Sequence, residues 1–145
     1  CYARSTNAIR KLADRAAEMQ VILGIENVWN KFLLSPLEFV QFVDQFNSPW
    51  IRAYFDVGNV VLYAYPQDWI RTLGHRIAKI HVKDFDRDHF KWKPLLEGSI
   101  DWKEVRKALQ DVGYRGFITA ELPAGDENYL RDVSKRMSRI IEGKM

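Results

Sequence analysis

Four residues in this sequence have types and spacing that could do chemistry together: Glu26, Asp56, His81 and Glu121. Each stands at or near the end of a short apolar run. Val21–Ile25 leads into Glu26, Trp50–Phe55 leads into Asp56, Ile77–Val82 carries His81 near its end, and Phe117–Leu122 carries Glu121. Three carboxylates and one imidazole make a hard, mostly oxygen donor set of the kind that holds one divalent cation. Mn2+ is the ion expected, and Mg2+, Co2+ or Zn2+ are compatible with the same donors. Taken one at a time, each residue reads first as an ordinary polar strand end facing water. An acid or histidine repeated at the same station in four successive runs is what favours a shared site.

Such residues can meet only if the runs are neighbouring parallel strands, because the C-terminal strand ends of a parallel α/β sheet line one face. The segments between the runs supply the helices. Residues 5–19 repeat Ile9, Leu12, Ala13, Ala16 and Ala17 at helical spacing. Ser35-Pro36-Leu37-Glu38 predicts a helix start with Ser35 as N-cap and Pro36 as the first helical residue, and Phe39, Val40, Phe42, Val43 and Phe46 form its apolar side. Pro66–Leu73 predicts a helix stopped at Gly74. Asp101-Trp102-Lys103-Glu104 is a capping box, opening a helix that carries Val105, Ala108, Leu109 and Val112 and stops at Gly113. Residues 127–142 predict a closing helix through Leu130, Val133, Met137, Ile140 and Ile141. Residues 1–145 thus read as one α/β domain, a leading helix plus four βα units with parallel strands, which is half of a (βα)8 TIM barrel. Runs of this kind are expected to be buried on both faces of the sheet.

Composition narrows the function. The net charge of +3 comes from scattered Lys and Arg rather than one basic stripe, which argues against a nucleic-acid partner. Cys1 is the single cysteine, which excludes an internal disulfide or a cysteine-built zinc cluster and fits a reducing, cytoplasmic setting. No apolar stretch reaches membrane-spanning length. The chain opens at Cys1 almost directly in a helical pattern, as a fragment of a longer chain would.

The strings Gly24-Ile25-Glu26-Asn27-Val28-Trp29-Asn30, Tyr54-Phe55-Asp56-Val57-Gly58-Asn59, Ile80-His81-Val82-Lys83-Asp84 and Thr119-Ala120-Glu121-Leu122 resemble the last four strand ends of the xylose-isomerase-like barrels. The nearest branch is the sugar-phosphate 3-epimerases and hexulose-phosphate isomerases, which Glu97-Gly98-Ser99-Ile100-Asp101-Trp102 and Gly113-Tyr114-Arg115-Gly116 also resemble. The likeness runs from about residue 20 to residue 125. It implies a metal-dependent isomerase or epimerase of a sugar or sugar phosphate, with Glu26, Asp56, His81 and Glu121 as metal ligands. It also implies that Glu26 and Glu121 work as an acid–base pair, one abstracting and one returning a proton across an enediolate that the cation stabilises.

Arg87, six positions after His81, stands where the family places an arginine that contacts substrate oxygens. Lys83, Lys91 and Lys93 follow the third strand, a region that often binds phosphate in barrels. Asn59 occupies a station where many relatives carry His, and it is expected to hydrogen-bond substrate rather than ligate metal. Trp29 is expected to wall the sugar pocket. His75 and His89 read as surface residues. A dehydratase or hydroxypyruvate-type isomerase on the same scaffold shares this metal set. An apurinic-site endonuclease is excluded because three histidines cannot build its several zinc sites. A complete barrel takes about 250 residues, so a non-catalytic half-barrel or binding module is the alternative to an enzyme. The half-barrel is expected to expose two strand edges and an apolar inner face, favouring a homodimer, a higher oligomer or pairing with the missing N-terminal half.

Overall fold

The computed structural model describes residues 1–145. Helix α1 (Tyr2–Met19) leads into strand β1 (Leu23–Glu26), followed by α2 (Pro36–Asp44), β2 (Ile51–Asp56), α3 (Pro66–Leu73) and β3 (Ile77–Val82). A short hairpin comes next, β4 (Asp84–Asp86) with β5 (Lys91–Lys93), before α4 (Trp102–Asp111), β6 (Ile118–Ala120) and α5 (Glu127–Glu142). Strands β1, β2, β3 and β6 form one parallel sheet in that order, with β1 and β6 at its two edges. This is the expected half-barrel. No helix is long and apolar enough to cross a membrane.

The helix ends follow the sequence signals. Pro36 and Pro66 each open a helix at the position where the missing N–H costs nothing. The Asp101 side chain accepts the backbone N–H of Glu104, and Asp126 does the same for Tyr129 at the start of α5. Ser35 departs from expectation: it occupies the N-cap of α2 in extended backbone but makes no side-chain cap bond. The hairpin was not foreseen from the sequence, because two strands of three residues carry too little alternation to read.

The sheet is sided, and this corrects the expectation of strands buried on both faces around an apolar inner face. Along β2, Ile51, Ala53 and Phe55 are buried while Arg52 and Tyr54 are only half-buried. The register pairs Gly24 with Arg52, Glu26 with Tyr54, Asp56 with His81 and His81 with Thr119, so these polar residues share one face. The other face carries Ala53, Phe55, Ile80 and Val82 into a core with Phe39, Phe42, Trp69, Ile70, Leu73, Val105 and Leu109 from α2, α3 and α4. Each such large side chain contributes about 1.5–3 kcal/mol when removed from water. Strand periodicity of two does the sorting: odd-numbered side chains of β2 go under the helices, even-numbered ones to the inner face.

The flanking helices are covered least. Of the apolar stripe on α1, Ala16 is buried but Leu12 and Met19 are exposed, and of α5 only Ile140 is buried. Phe117, just before β6, is 80% exposed. Part of the uncovered apolar surface therefore lies on elements at the sheet's two edges, Leu12 and Met19 on α1 and Leu130 and Ile141 on α5.

Asp84 anchors the hairpin. Fully buried, it accepts the backbone N–H of Phe85 (3.0 Å), that of Leu96 (2.9 Å) and the indole N–H of Trp102 (2.9 Å). Gly98 is pressed against it, since a Cβ there would lie 2.1 Å from Asp84 Oδ1. One carboxylate thus ties the segment before α4 to the end of β3. Asp84→Ala strands three donors and should cost about 3 kcal/mol or more in urea unfolding. A loss below about 1 kcal/mol would mean that water replaces the carboxylate at no penalty.

Candidate metal centre

Glu26 ends β1, Asp56 ends β2, His81 lies one residue before the end of β3, and Glu121 directly follows β6. One ligand atom from each lies within 4.8 Å of the others. The convergence follows from register: Asp56 pairs with His81, and the Glu121 N–H bonds Val82 O at 3.0 Å, carrying the ladder one residue beyond β6.

Asp56 is the innermost member. It is 0% exposed, and its backbone is clamped by Asn27, which donates from Nδ2 to Asp56 O (2.9 Å) and accepts the Asp56 N–H on Oδ1 (2.8 Å). Asp56 Oδ1 accepts the Asn59 N–H at 2.7 Å. Its second oxygen, Oδ2, accepts no aligned hydrogen bond, although the Lys83 ammonium stands 3.2 Å away. Burial pushes the Asp56 carboxyl up to about 7, against the pull of Lys83 and of the Asn59 N–H. Glu121 is held below the usual carboxylate range, first by its hydrogen bond from Lys83.

His81 is oriented from both ring nitrogens. Nδ1 lies 2.9 Å from Glu26 Oε1 and 3.9 Å from Glu121 Oε2, and Nε2 lies 2.7 Å from Tyr54 Oη. With the hydrogen on Nε2 donated to Tyr54, the Nδ1 lone pair faces the carboxylates, which is the tautomer a cation among them requires. A fully buried Asp56 oxygen whose charged neighbour is the Lys83 ammonium, a His81 ring nitrogen 2.9 Å from a Glu26 oxygen and three carboxylates at one point fit a divalent cation.

The remaining expected residues separate. Lys83 lies inside the cluster, with Nζ 2.5 Å from Glu121 Oε2. Trp29 donates from Nε1 to Asn59 O (2.7 Å) and stacks on Trp92, with ring centroids 4.9 Å apart. Asn59 is buried, and its side-chain amide donates to Asn27 O at 2.8 Å, so that amide serves the Asn27–Asp56 clamp. Arg87 directs its guanidinium to Val61 O (2.8 Å) and Ala64 O (3.2 Å), bracing the segment after β2. Lys91 and Lys93 sit on β5, away from Lys83 along the chain, and Lys93 Nζ lies 3.8 Å from Asp86. His75 and His89 are exposed, as expected.

Sequence reasoning missed Tyr54, Asn27 and Trp92. Tyr54 was readable in principle, since period two puts it on the Asp56 face of β2. Asn27 carried no such signal, because its role is a bond to the backbone of the adjacent strand. Trp92 lines, with Lys83, Lys93, Glu121 and Pro123, a cavity of about 320 Å³ beside the cluster. A cavity of about 480 Å³ lies at the opposite strand ends around Asp44, Arg52, His75 and Arg76. Its Arg76 is already paired with Asp44 at 2.6 Å, and parallel sheets place their chemistry at the other end.

The family model for the xylose isomerase-like TIM barrel matches residues 1–140. The chain belongs to that family. It is 31% identical over 148 aligned positions to an L-ribulose-5-phosphate 3-epimerase, UlaE, of Escherichia coli O1:K1, covering 94% of this chain and 51% of that protein. A counterpart from Salmonella paratyphi A matches at the same identity. The chain spans about half the length of the curated relatives it matches. Among solved structures, a D-tagatose 3-epimerase-like protein superposes with a TM-score of 0.80 at 19% identity, over 99% of this chain and 56% of that one. The IOLI protein with a bound zinc atom superposes at 0.84 with 15% identity, over 99% and 57%. At these identities the structures speak for the fold.

Asn27→Ala removes both bonds to the Asp56 peptide and leaves a buried N–H and C=O unpaired. Chemical denaturation should show a loss of about 2–4 kcal/mol. Near-wild-type stability would show that β1 and β2 hold Asp56 without the clamp.

Proposed function

We propose that this chain carries the metal centre and the acid–base pair of a divalent-metal-dependent epimerase or isomerase acting on a ketose or ketose phosphate. The observation that carries the reading is the meeting of Glu26, Asp56, His81 and Glu121 at the carboxyl ends of four parallel strands. Asp56 and His81 form the fixed inner part of the ligand set, both mostly buried and hydrogen-bonded from behind. Glu26 and Glu121 complete it from the outer strands, with side chains 28% and 47% exposed, and so reach a bound molecule. The predominance of oxygen donors favours Mn2+ over Zn2+.

When bound, the divalent cation supplies Lewis acidity to the carbonyl and adjacent hydroxyl oxygens of a ketose, which acidifies the C–H between them. One glutamate, as the carboxylate, takes that proton, and the other, as the protonated carboxylic acid, returns one from the opposite side, which inverts the carbon. Asp56, aligned by Asn27 and Asn59, keeps its geometry while this happens. Trp29 and Trp92 give the apolar wall against which a sugar face packs, and Phe85 and Phe90 back them with ring centroids 5.0–6.0 Å away. Lys93, on the cavity next to Glu121, is our candidate for a substrate phosphate; Arg87 and Asn59 we assign to holding the loops of the site. The open edges of β1 and β6, with exposed apolar residues beside them, we assign to pairing with further barrel strands, from the other half-barrel or from a second copy.

The acid–base roles predict a specific loss in the complete barrel. With L-ribulose 5-phosphate in D2O, Glu26→Gln and Glu121→Gln should each slow C–H/deuterium exchange roughly a hundredfold or more by proton NMR. Glutamine keeps the size and one ligating oxygen, so the fold survives. Normal exchange in either folded variant would remove that glutamate from the mechanism.

A further inference from the structure

Lys83 is placed by more contacts than a loop lysine would be. Its side chain is 16% exposed, with Nζ 3.2 Å from Asp56 Oδ2 and 2.5 Å from Glu121 Oε2. The ammonium also lies 5.1 Å from the centroid of the Trp92 ring, over its electron-rich face. Behind it, the turn after β2 presses close: a Cβ at Gly58 would lie 2.6 Å from Lys83 Cγ and 2.8 Å from Lys83 O. Glycine at that position makes room for the lysine stem. Two carboxylates, one aromatic face and a glycine seat thus fix a positive charge inside the donor set.

That charge alters the electrostatics of the centre. With Glu26, Asp56 and Glu121 ionised, as metal ligation requires, and the imidazole neutral, the single ammonium brings the cluster to a net charge of −2. A divalent cation then leaves the site neutral. Without the divalent ion, the ammonium bridges the Asp56 and Glu121 carboxyl groups.

Resting on the metal reading above, the geometry points to Lys83 as a built-in counter-cation that holds Asp56 and Glu121 together in the metal-free protein and limits how tightly the divalent ion binds. It is a positioning residue, acting through the carboxylates. Two effects oppose each other when it is removed. Asp56 is already clamped by Asn27 and Asn59, so the lysine positions chiefly Glu121. Loss of a fixed positive charge a few ångströms from the bound dication therefore outweighs loss of positioning.

The test is calorimetric titration of Mn2+ into metal-stripped protein, for wild type, Lys83→Met and Lys83→Arg, with thermal melts in EDTA. Lys83→Met should bind Mn2+ roughly tenfold tighter or more, and in EDTA it should melt lower than wild type. Lys83→Arg keeps the charge and should stay near wild type in both, which separates charge from packing. If wild type binds Mn2+ and Lys83→Met binds it equally or more weakly, the counter-cation role is wrong while the metal reading stands. If wild type binds no Mn2+, both fall. A purely structural lysine would lower the melting point without tightening the metal.

Discussion

Asp56 puts an ionisable carboxylate where water does not reach, and much of the structure is arranged around that constraint. A buried charge needs partners, because desolvation otherwise drives it to the neutral form. Here the partners come from the segments that follow three strands. Asn27 fixes the peptide from β1, the Asn59 N–H takes one oxygen, and Lys83 from beyond β3 approaches the other. Burial still prevails enough to push the carboxyl up to about 7. That imbalance is what a resident cation would relieve.

The sidedness of the sheet makes this affordable. Helices α2, α3 and α4 cover the apolar face of the sheet, through Phe39, Phe42, Trp69, Leu73 and Leu109. The inner face is left free for Tyr54, Lys79, His81 and Thr119. Tyr54 links the two tasks, standing on the inner face of β2 while its hydroxyl orients His81 from behind. The hairpin and its Asp84 anchor then set Trp92 beside the cluster, giving the polar centre an aromatic border.

What could be read in advance divides along physical lines. The strand ends were legible because a buried run that stops at an acid or histidine breaks its own pattern, as at Phe55-Asp56. The helix ends were legible where the chemistry is local: Pro66 at the start of α3, Gly74 at its end, Asp101 capping Glu104. Contacts that depend on register or on reach were not. The Asn27 clamp needs β1 beside β2, and Lys83, which read as a phosphate-facing loop lysine, has a side chain long enough to turn back into the carboxylates. The apolar inner face expected from the runs was wrong because a run such as Ile51–Phe55 contains Arg52 and Tyr54, whose alternation already announced one polar side. Leu12 and Leu130 have helical spacing but little to cover them, since their helices lie at the sheet's edges.

The central claim is that four strand ends form one cation site. Crystals grown with Mn2+ and measured for manganese anomalous scattering test it most directly. The account predicts a single strong anomalous peak enclosed by the carboxylates of Glu26, Asp56 and Glu121 and by Nδ1 of His81. Absence of a peak there, with the four side chains ordered, or a peak bound only by other residues, would contradict it.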